Sequence, residues 1–423
     1  MGLNDKIANS PFVKKVITML SGHGLALVIP FFMAPIISRI FSPSEIGSYE
    51  LFARILALTS VVATFRFELA LILPREEKES LGLFHLSIRI LFAFFLLSAS
   101  ILIFFYDPIV SLFENEGLYD LLIWLPPAIL LTGLLKLLQN YSIRIQRFRL
   151  LSSCKVAASA ANHGSKALIG AYSPSAIGLL LGHLVGLMAP LAFYFSKNQI
   201  RTAFRDALSA PYKGLMKKYR DFPLINSPHI LSDEFKNLAI FAMISAGYAE
   251  VVLGLFGLTI RYLRVPVELF GNSVGSVFLQ SASQSYVEKK TFYPLLSRVI
   301  FFLILAGILP FGSLYFFGEE LFSWFFGSEW KEAGKYAALI SPWLFLSFVV
   351  SPVSSVPVIV QRQKSFFVFS VFMNLFILSL ASYLAISDYS IAHFILGISI
   401  AHSVFQFILL LWLLRISRVV RNE

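Results

Sequence analysis

Basic side chains lie inside apolar segments at several points along this chain of 423 residues. A charge in the centre of a membrane helix costs about 3 kcal/mol on insertion scales, so such a side chain usually faces a polar interior. Guanidinium and ammonium groups supply several charge-assisted donors to phosphate oxygens. The pattern therefore predicts a cationic cavity that binds an anion, and a diphosphate fits it well. The candidate binding residues from this pattern are Arg54, Lys136, Lys166 and Arg261.

Acidic side chains in the same segments are candidates for ion coupling or for pairing with these cations: Glu68, Asp233, Glu234 and Glu268. Glu268 follows Arg264 by one helical turn, a spacing at which opposite charges pair. Lys166 has a second interpretation besides the cavity, namely a buried salt bridge with Glu68. The two acids at 233 and 234 could carry protons, bind a cation, or only cap a helix at the membrane interface.

Helical spacing groups several of these residues on shared faces. If one helix runs over residues 47–73, Arg54 and Glu68 lie on nearly the same face, because each residue turns the helix by about 100°. Lys136 stands one helical turn from Asn140 in the fourth apolar segment. Lys166 lies near the middle of the fifth segment, at the end of a polar stripe. A polar stripe within an apolar helix indicates contact with water or with other parts of the protein.

Motifs for catalysis, metal binding and nucleotide binding are not found in the sequence. The histidines of the apolar segments lie on separate segments, without metal-ligand spacing on one helix, and no Walker-type glycine loop or Ser-His-Asp arrangement can be argued. One cysteine, Cys154, excludes a disulfide framework and a cysteine-based metal site. We therefore expect no cofactor, no metal and no enzymatic activity, and any transport must be driven by an ion gradient, the membrane potential or the substrate's own gradient.

Composition predicts an all-α polytopic membrane protein. The chain is 57% hydrophobic and 14% charged, whereas soluble domains are about 25% charged. The net charge of +11 is better explained by membrane topology than by nucleic acid, which we do not expect as a partner. Apolar runs long enough to cross a bilayer predict twelve spans: 17–40, 47–73, 82–105, 121–143, 153–172, 175–195, 229–249, 251–280, 295–317, 336–359, 365–386 and 391–414.

The charges of the connections predict the orientation of these spans. Almost all the lysines and arginines outside the spans fall in alternate connections, whereas the other connections are acidic. By the positive-inside rule, both termini then lie in the cytoplasm, and the number of spans is even. The longest polar stretch divides the chain into an N-terminal lobe (1–196, spans one to six), a cytoplasmic linker (197–228) and a C-terminal lobe (229–423, spans seven to twelve). No internal sequence repeat is convincing.

Several motifs, taken in order, resemble the oligosaccharide flippases, the polysaccharide transporter (Wzx-type) family of the MOP superfamily. They are PIISRIFSPSEIG (35–47), RFELALILP (66–74), YRDFP (219–223), RYLRVP (261–266) and GNSVG (271–275). Together they cover nearly the whole chain in the expected order and spacing. One departure is the start of the seventh span, where family members often have few charges and this chain has Asp233, Glu234 and Lys236.

The resemblance implies a V-shaped bundle of two six-helix lobes with a central cationic cavity. It implies translocation of an undecaprenyl-diphosphate-linked oligosaccharide to the periplasmic leaflet by alternating access, for O-antigen, lipopolysaccharide or capsule biosynthesis. Membrane lipids and the polysaccharide polymerase machinery would be its partners. On this resemblance the family's cavity cations correspond to Arg39, Arg54, Lys166 and Arg261.

Three other functions stay open. An ion-coupled multidrug or small-molecule antiporter of the same superfamily would need carboxylates in the cavity. A transporter of the peptidoglycan precursor would be expected to have two further spans. A membrane polymerase or ligase should carry its chemistry on a large periplasmic loop, and the predicted periplasmic connections 106–120 and 318–335 are short and acidic. That last function is the least favoured.

Overall fold

The computed structural model of the chain describes residues 28–288, 291–387 and 389–418. These residues form helices joined by turns, and no strand occurs among them. The chain divides into two compact units. The first is Phe32–Gly254, and the second comprises the described residues up to Phe31 and from Leu255 onward.

The first unit holds most of α1, all of α2 to α7 and the first turn of α8. Their bounds are Val28–Ile40 (α1), Pro43–Val62 (α2), Glu77–Ser111 (α3), Leu125–Arg144 (α4), Phe148–Tyr172 (α5), Ala176–Phe195 (α6), Ser227–Gly247 (α7) and Glu250–Val287 (α8). Helix α7 packs against α2, whereas the predicted domain boundaries assign the seventh span to the C-terminal lobe. The contacts divide the chain between Gly254 and Leu255.

The second unit contains the remainder of α8 and four further long helices. Their bounds are Tyr293–Phe326 (α9), Lys331–Val350 (α10), Gln363–Ile386 (α11) and Ile391–Ile416 (α12). Helix α10 packs between α9 and α12, and α11 packs on α12. In this unit Gly318 of α9 and Gly334 of α10 lie so close that a Cβ on either would be within 2.4 Å of the other's carbonyl oxygen.

Among the described residues, helices α1 to α12 follow the order of the predicted spans, which confirms the all-α polytopic fold class. Residues 17–27 of the first predicted span lie outside the described residues. Among the described residues, six helical stretches are long and apolar enough to cross a membrane, and a seventh results if a bent pair is counted as one span. That pair is Glu116–Leu122 and α4, which meet at 59°. Helices α2, α5, α7 and α8 are also long, but they carry the polar and charged residues that lower their hydropathy.

Helix α2 begins with a strong local signal and ends earlier than predicted. Ser42 caps its first turn, Pro43 occupies the first helical position, and the Glu45 carboxylate accepts a hydrogen bond from the Ser42 backbone N–H at 2.7 Å. The helix stops at Val62, and Phe65 (φ 48°) and Arg66 (φ 63°) adopt left-handed conformations.

The span predicted as continuous over 47–73 is therefore broken, and this part of the prediction is wrong. Its last part is the short helix Phe67–Ala70 and the loop that follows. The Arg144 guanidinium of α4 donates to backbone carbonyls of that loop, at 2.6 Å to Pro74 and 3.3 Å to Glu76. Helical spacing consequently says nothing about whether Arg54 and Glu68 share a face.

Three glycines on one face of α6 let that helix approach α5 closely. A Cβ on Gly182 would lie 2.4 Å from Cγ of Lys166, and one on Gly186 would lie 2.5 Å from Cβ of Asn162. Gly178 precedes them by the same four-residue step and faces Ile169. Small residues at this spacing are typical of close helix packing in membranes, where association depends on direct packing.

Helices α3 and α9 each contain one break in helical geometry, at comparable positions. In α3 it is Phe105 (φ −128°, ψ 27°), three residues before Pro108. In α9 it is Phe317 (φ −126°, ψ 25°), directly before Gly318. Proline removes the N–H that would bond to the fourth residue before it, which explains the break in α3.

Candidate substrate-binding residues

Helix α2 organises the polar interior of the first unit. It packs against α4, α6 and α7 and against the short helix Glu116–Leu122. Within its first three turns, Tyr49 is 3% exposed and Glu50 is fully buried. Two of the predicted binding residues are attached to this stretch, Lys166 through Tyr49 and Arg54 through Glu50.

Lys166 of α5 is buried, with only 2% of its surface exposed. Its Nζ donates a hydrogen bond to the Tyr49 hydroxyl at 3.0 Å and lies 4.3 Å from the centre of the Tyr49 ring. The backbone of α6 covers the lysine stem at Gly182. A buried ammonium group requires such partners because removal from water is costly. The tyrosine supplies both an acceptor oxygen and a ring face.

Arg54 of α2 forms an ion pair with Glu50 one turn earlier, at 3.5 Å between Nη2 and Oε2. The arginine side chain is 18% exposed and the glutamate side chain 1%. The guanidinium carbon also lies 4.7 Å from the centre of the Phe241 ring on α7. Arg54 is therefore held between α2 and α7 by a carboxylate and an aromatic ring.

Lys136 of α4 is half-buried further along α2, where its Nζ lies 3.4 Å from the Ser60 carbonyl oxygen. Glu68, Arg66 and Glu234 are its charged neighbours. Glu68 is 2% exposed and accepts a hydrogen bond from the Thr64 hydroxyl. The structure thus brings Lys136 and Glu68 into the same region of the first unit, whereas Lys166 contacts the opposite end of α2, near Tyr49.

The remaining candidates of the first unit lie in other settings. Arg39 of α1 is exposed, and its guanidinium donates to the Pro35 carbonyl oxygen at 2.8 Å. Asp233 and Glu234 are half-buried in α7, and Lys236 beside them is only 6% exposed. The charged start of the seventh span was the one departure from the family pattern. These charged residues lie on α7, which belongs to the first unit.

In the second unit, Arg261 and Arg264 are half-buried in α8, and Glu268 is exposed. The guanidinium carbon of Arg264 lies 5.6 Å from the centre of the Trp343 ring of α10. That ring stacks on His402 of α12 with 4.1 Å between ring centres. One cation of the α8 stripe thus lies against an aromatic ring of α10, and that ring is itself stacked on α12.

Two residues that the sequence analysis did not select prove central to the first unit, Tyr49 and Glu50. Glu50 carries a signal that could have been read, because it precedes Arg54 by four residues in a predicted helix, the spacing of an intrahelical ion pair. Tyr49 carries no such signal. Only the folded structure shows that its hydroxyl accepts the hydrogen bond of Lys166.

The connection between α6 and α7 is tied to the start of α3 through residues 210–219, here called the strap. The His85 ring accepts a hydrogen bond from Arg89 Nε at 2.9 Å and contacts the Ala210 carbonyl oxygen through Nδ1 at 2.8 Å. The Arg89 guanidinium donates to the Tyr212 hydroxyl at 2.9 Å. Because Nε2 accepts and Nδ1 contacts a carbonyl oxygen, this geometry requires a neutral ring with its proton on Nδ1.

A second set of contacts fixes the end of the strap. Lys218 and Tyr219 both donate to the Glu79 carboxylate at the start of α3. The hydrogen bond to Glu79 raises the pKa of the Lys218 ammonium group. Burial raises the pKa of the Tyr219 hydroxyl, and its hydrogen bond to Glu79 acts in the same direction. The polar connection predicted as a linker is thus anchored to the N-terminal unit.

The fold is similar to that of several solved membrane transporters of the MOP superfamily. The lipid II flippase MurJ, in an inward closed conformation, matches with a TM-score of 0.74 at 16% identity, over 94% of this chain and 87% of that chain. A multidrug resistance MATE family transporter in an inward-facing conformation matches with a TM-score of 0.64 at 15% identity, over 96% and 97% of the two chains. A MOP superfamily transporter from Pyrococcus furiosus matches with a TM-score of 0.61 at 14% identity, over 99% and 98%.

The sequence identifies the family of this chain. The profile of the family described as "Polysaccharide biosynthesis protein" matches residues 36–335, so the chain belongs to that family. A relative, "Capsular polysaccharide biosynthesis protein CapF" of Staphylococcus aureus, is 29% identical over 167 residues. That match spans 39% of this chain and 40% of the relative's length.

Proposed function

We propose that this protein is a flippase that moves a lipid-linked oligosaccharide across the membrane by alternating access. The substrate would be an oligosaccharide repeat unit on undecaprenyl diphosphate, delivered to the outer leaflet of the bacterial inner membrane for capsule or O-antigen assembly. Both termini would lie in the cytoplasm, and the polymerase that extends the polysaccharide would act on the product.

The observation that carries this proposal is the combination of family and fold. The family is one of polysaccharide biosynthesis, yet the fold is that of membrane transporters. A transporter within a biosynthetic pathway acts on an intermediate that is made on one side of a membrane and used on the other. For a polysaccharide, such an intermediate is a repeat unit carried on a lipid.

The charges inside the helices support a diphosphate as the recognised group. Lys136, Lys166 and Arg261 each place a cation within a long helix, and all three are half-buried or buried. The buried acid Glu50 is matched by Arg54. Cations with few water neighbours bind phosphate oxygens more strongly than exposed ones do, because the local dielectric is low. Our proposed substrate contacts are the five cations Arg39, Arg54, Lys136, Lys166 and Arg261. The proposed coupling or pairing groups are the acids Glu68, Asp233, Glu234 and Glu268.

The test is a measurement of leaflet exposure in proteoliposomes. Undecaprenyl-diphosphate oligosaccharide is incorporated with the purified full-length protein, and an external sugar-modifying enzyme reports which molecules reach the outer leaflet. We expect exposure to be faster with the protein than in protein-free liposomes. No acceleration, together with chain lengthening of the sugar, would indicate a polymerase, and no acceleration with cation-dependent drug efflux would indicate an antiporter.

Two substitutions test the cationic residues in the same assay. Lys166→Met keeps the apolar stem and removes the charge, and Arg261→Gln keeps polarity without charge. We expect each to reduce translocation by about tenfold or more, the scale set by losing a charge-assisted hydrogen bond to phosphate. Arg75→Gln, which removes an exposed charge in a connection, is the control and should transport normally. Normal transport by both interior variants would exclude the cationic mechanism.

A further inference from the structure

A cavity of about 840 Å³ lies where the turn between α4 and α5 meets the start of the helix Asn198–Ser209. Two short stretches line it, residues 146–150 and 196–200. All of these belong to the first unit. The cavity is separate from the interior cations of α2 and α5, because neither Lys166 nor Arg54 lines it.

Its lining is strongly basic. Arg147, Arg149 and Lys197 contribute three cations, all exposed to solvent, and the lining includes no aspartate or glutamate. Gln146, Asn198 and Gln199 add amide groups that can donate hydrogen bonds. A concave site with three cations and uncharged donors selects an anion with several oxygens.

The cavity is also the meeting point of two helix starts. Arg147 precedes the first residue of α5, a helix of 25 residues, and Lys197 precedes the first residue of Asn198–Ser209, a helix of 12 residues. Neither of these preceding residues caps its helix with a side-chain hydrogen bond. The first N–H groups of a helix have no partner within it, and the helix dipole favours an anion there. Both helix starts thus add to the preference for an anion that the three basic side chains set.

Apolar surface borders the basic lining. Phe148, which lines the cavity, is 57% exposed, and Phe193 is 38% exposed. The Lys197 ammonium lies 4.7 Å from the centre of the Phe193 ring. The basic groups and exposed rings together fit the boundary between lipid headgroups and acyl chains, where a phosphate and a hydrocarbon tail are neighbours.

We propose that this cavity binds the anionic phosphate headgroup of a membrane lipid, at the membrane face that the charge pattern assigns to the cytoplasm. The three basic side chains and the two helix starts contact the phosphate, and the exposed phenylalanines contact the acyl chains. A free phosphate ion has the same charged oxygens but no use for the apolar border. None of the cavity residues is a proposed substrate contact. Lipid binding at this cavity is therefore independent of the proposed flippase function.

The experiment compares lipid binding by the full-length wild-type protein and two variants of equal charge. The first, Arg147→Gln/Arg149→Gln/Lys197→Gln, removes the cations of the cavity. The second, Arg75→Gln/Lys78→Gln/Arg205→Gln, removes three exposed cations that do not line it. Binding of short-chain phosphatidylglycerol is measured by native mass spectrometry, with phosphatidylcholine and inorganic phosphate as parallel probes. Size-exclusion profiles and circular dichroism establish that both variants are folded.

We expect the cavity variant to bind phosphatidylglycerol about tenfold or more weakly than the wild type, since each basic residue near a membrane surface contributes substantially to anionic-lipid binding. The control should stay within about threefold of the wild type, and phosphatidylcholine should bind weakly to all three proteins. Equal losses in the two variants would show general surface charge and overturn the proposal. Binding of inorganic phosphate without binding of phosphatidylglycerol would overturn the assignment to a lipid.

Discussion

At the scale of single residues, the first unit shows how a lysine is kept inside a membrane protein. Lys166 is almost fully buried. Its ammonium group needs a hydrogen-bond acceptor and its stem needs space, and different helices provide the two. Tyr49 of α2 provides the acceptor oxygen and the ring, and Gly182 of α6 provides the space for the stem. The polar stripe on α5 could be predicted from spacing. Its partners could not, because they lie 117 and 16 positions away in the sequence.

A substitution at Gly182 tests this packing. In Gly182→Ala the added Cβ would lie 2.4 Å from Cγ of Lys166 and 2.8 Å from its backbone nitrogen, so α5 and α6 must separate. We expect a loss of stability of about 1–3 kcal/mol, the usual cost of overpacking, measured as a lower midpoint of thermal unfolding in detergent. A movement of the Lys166 side chain alone would not relieve the overlap, because the backbone nitrogen of Lys166 is also among the contacts.

Gly164→Ala is the matched control for that variant. Gly164 lies in α5, and a Cβ added there would meet nothing within 4 Å. Alanine is favoured over glycine in a helix by about 1 kcal/mol, so this variant should unfold at the same temperature or higher. If Gly182→Ala is as stable as Gly164→Ala, the close approach of α6 to Lys166 is not required.

At the scale of elements, the second span shows where apolar patterning is insufficient. The apolar run over 47–73 predicts one helix, and its start is well signalled by the Ser42–Glu45 capping box. The break at Phe65 and Arg66 has no glycine or proline to announce it, and both residues are left-handed. Tertiary contacts hold the broken segment, chiefly the Arg144 guanidinium on the loop before α3. Such contacts cannot be read from local sequence.

Arg144 therefore offers a prediction for this element. In Arg144→Gln the loop carbonyls at 71, 72, 74 and 76 lose their shared donor. We expect faster amide hydrogen exchange in peptides covering residues 71–80, because local opening depends on such contacts. Arg144→Lys should show much of the same increase, since an ammonium group lacks the planar fork that reaches several carbonyls. Arg75→Gln serves as the control in the same loop, and equal exchange in that variant and Arg144→Gln would contradict this role.

At the scale of the whole molecule, the all-α class and the order of the long helices could be predicted, whereas the packing partners of a helix could not. Length and apolarity decide whether a segment is a span, and both are properties of the sequence. Which unit a helix joins depends on its packing partners. Helix α7 follows the longest polar stretch and yet packs on α2, so the strap and α7 both belong with the N-terminal unit.

The orientation in the membrane is tested with single cysteines. Ser209→Cys lies at the end of the helix Asn198–Ser209, and Ser328→Cys lies beyond α9; both positions are exposed. The native Cys154 is only 1% exposed and should react little. From the distribution of basic residues, we expect a membrane-impermeant maleimide to label the Ser328 variant in intact spheroplasts and the Ser209 variant only after lysis. The reverse pattern would invert the predicted topology.

The breaks at Phe105 and Phe317 have a consequence for the course of the two helices that contain them. Each is the second phenylalanine of a pair, one in α3 and the other in α9. Their backbone angles agree within 2°. The supports differ, Pro108 in one case and Gly318 in the other. A non-helical residue inside a helix interrupts its hydrogen-bond ladder, so α3 and α9 are each two segments joined at a bend. The segment after each bend leaves the axis of the segment before it, so a substitution at the bend changes the direction in which the end of that helix runs.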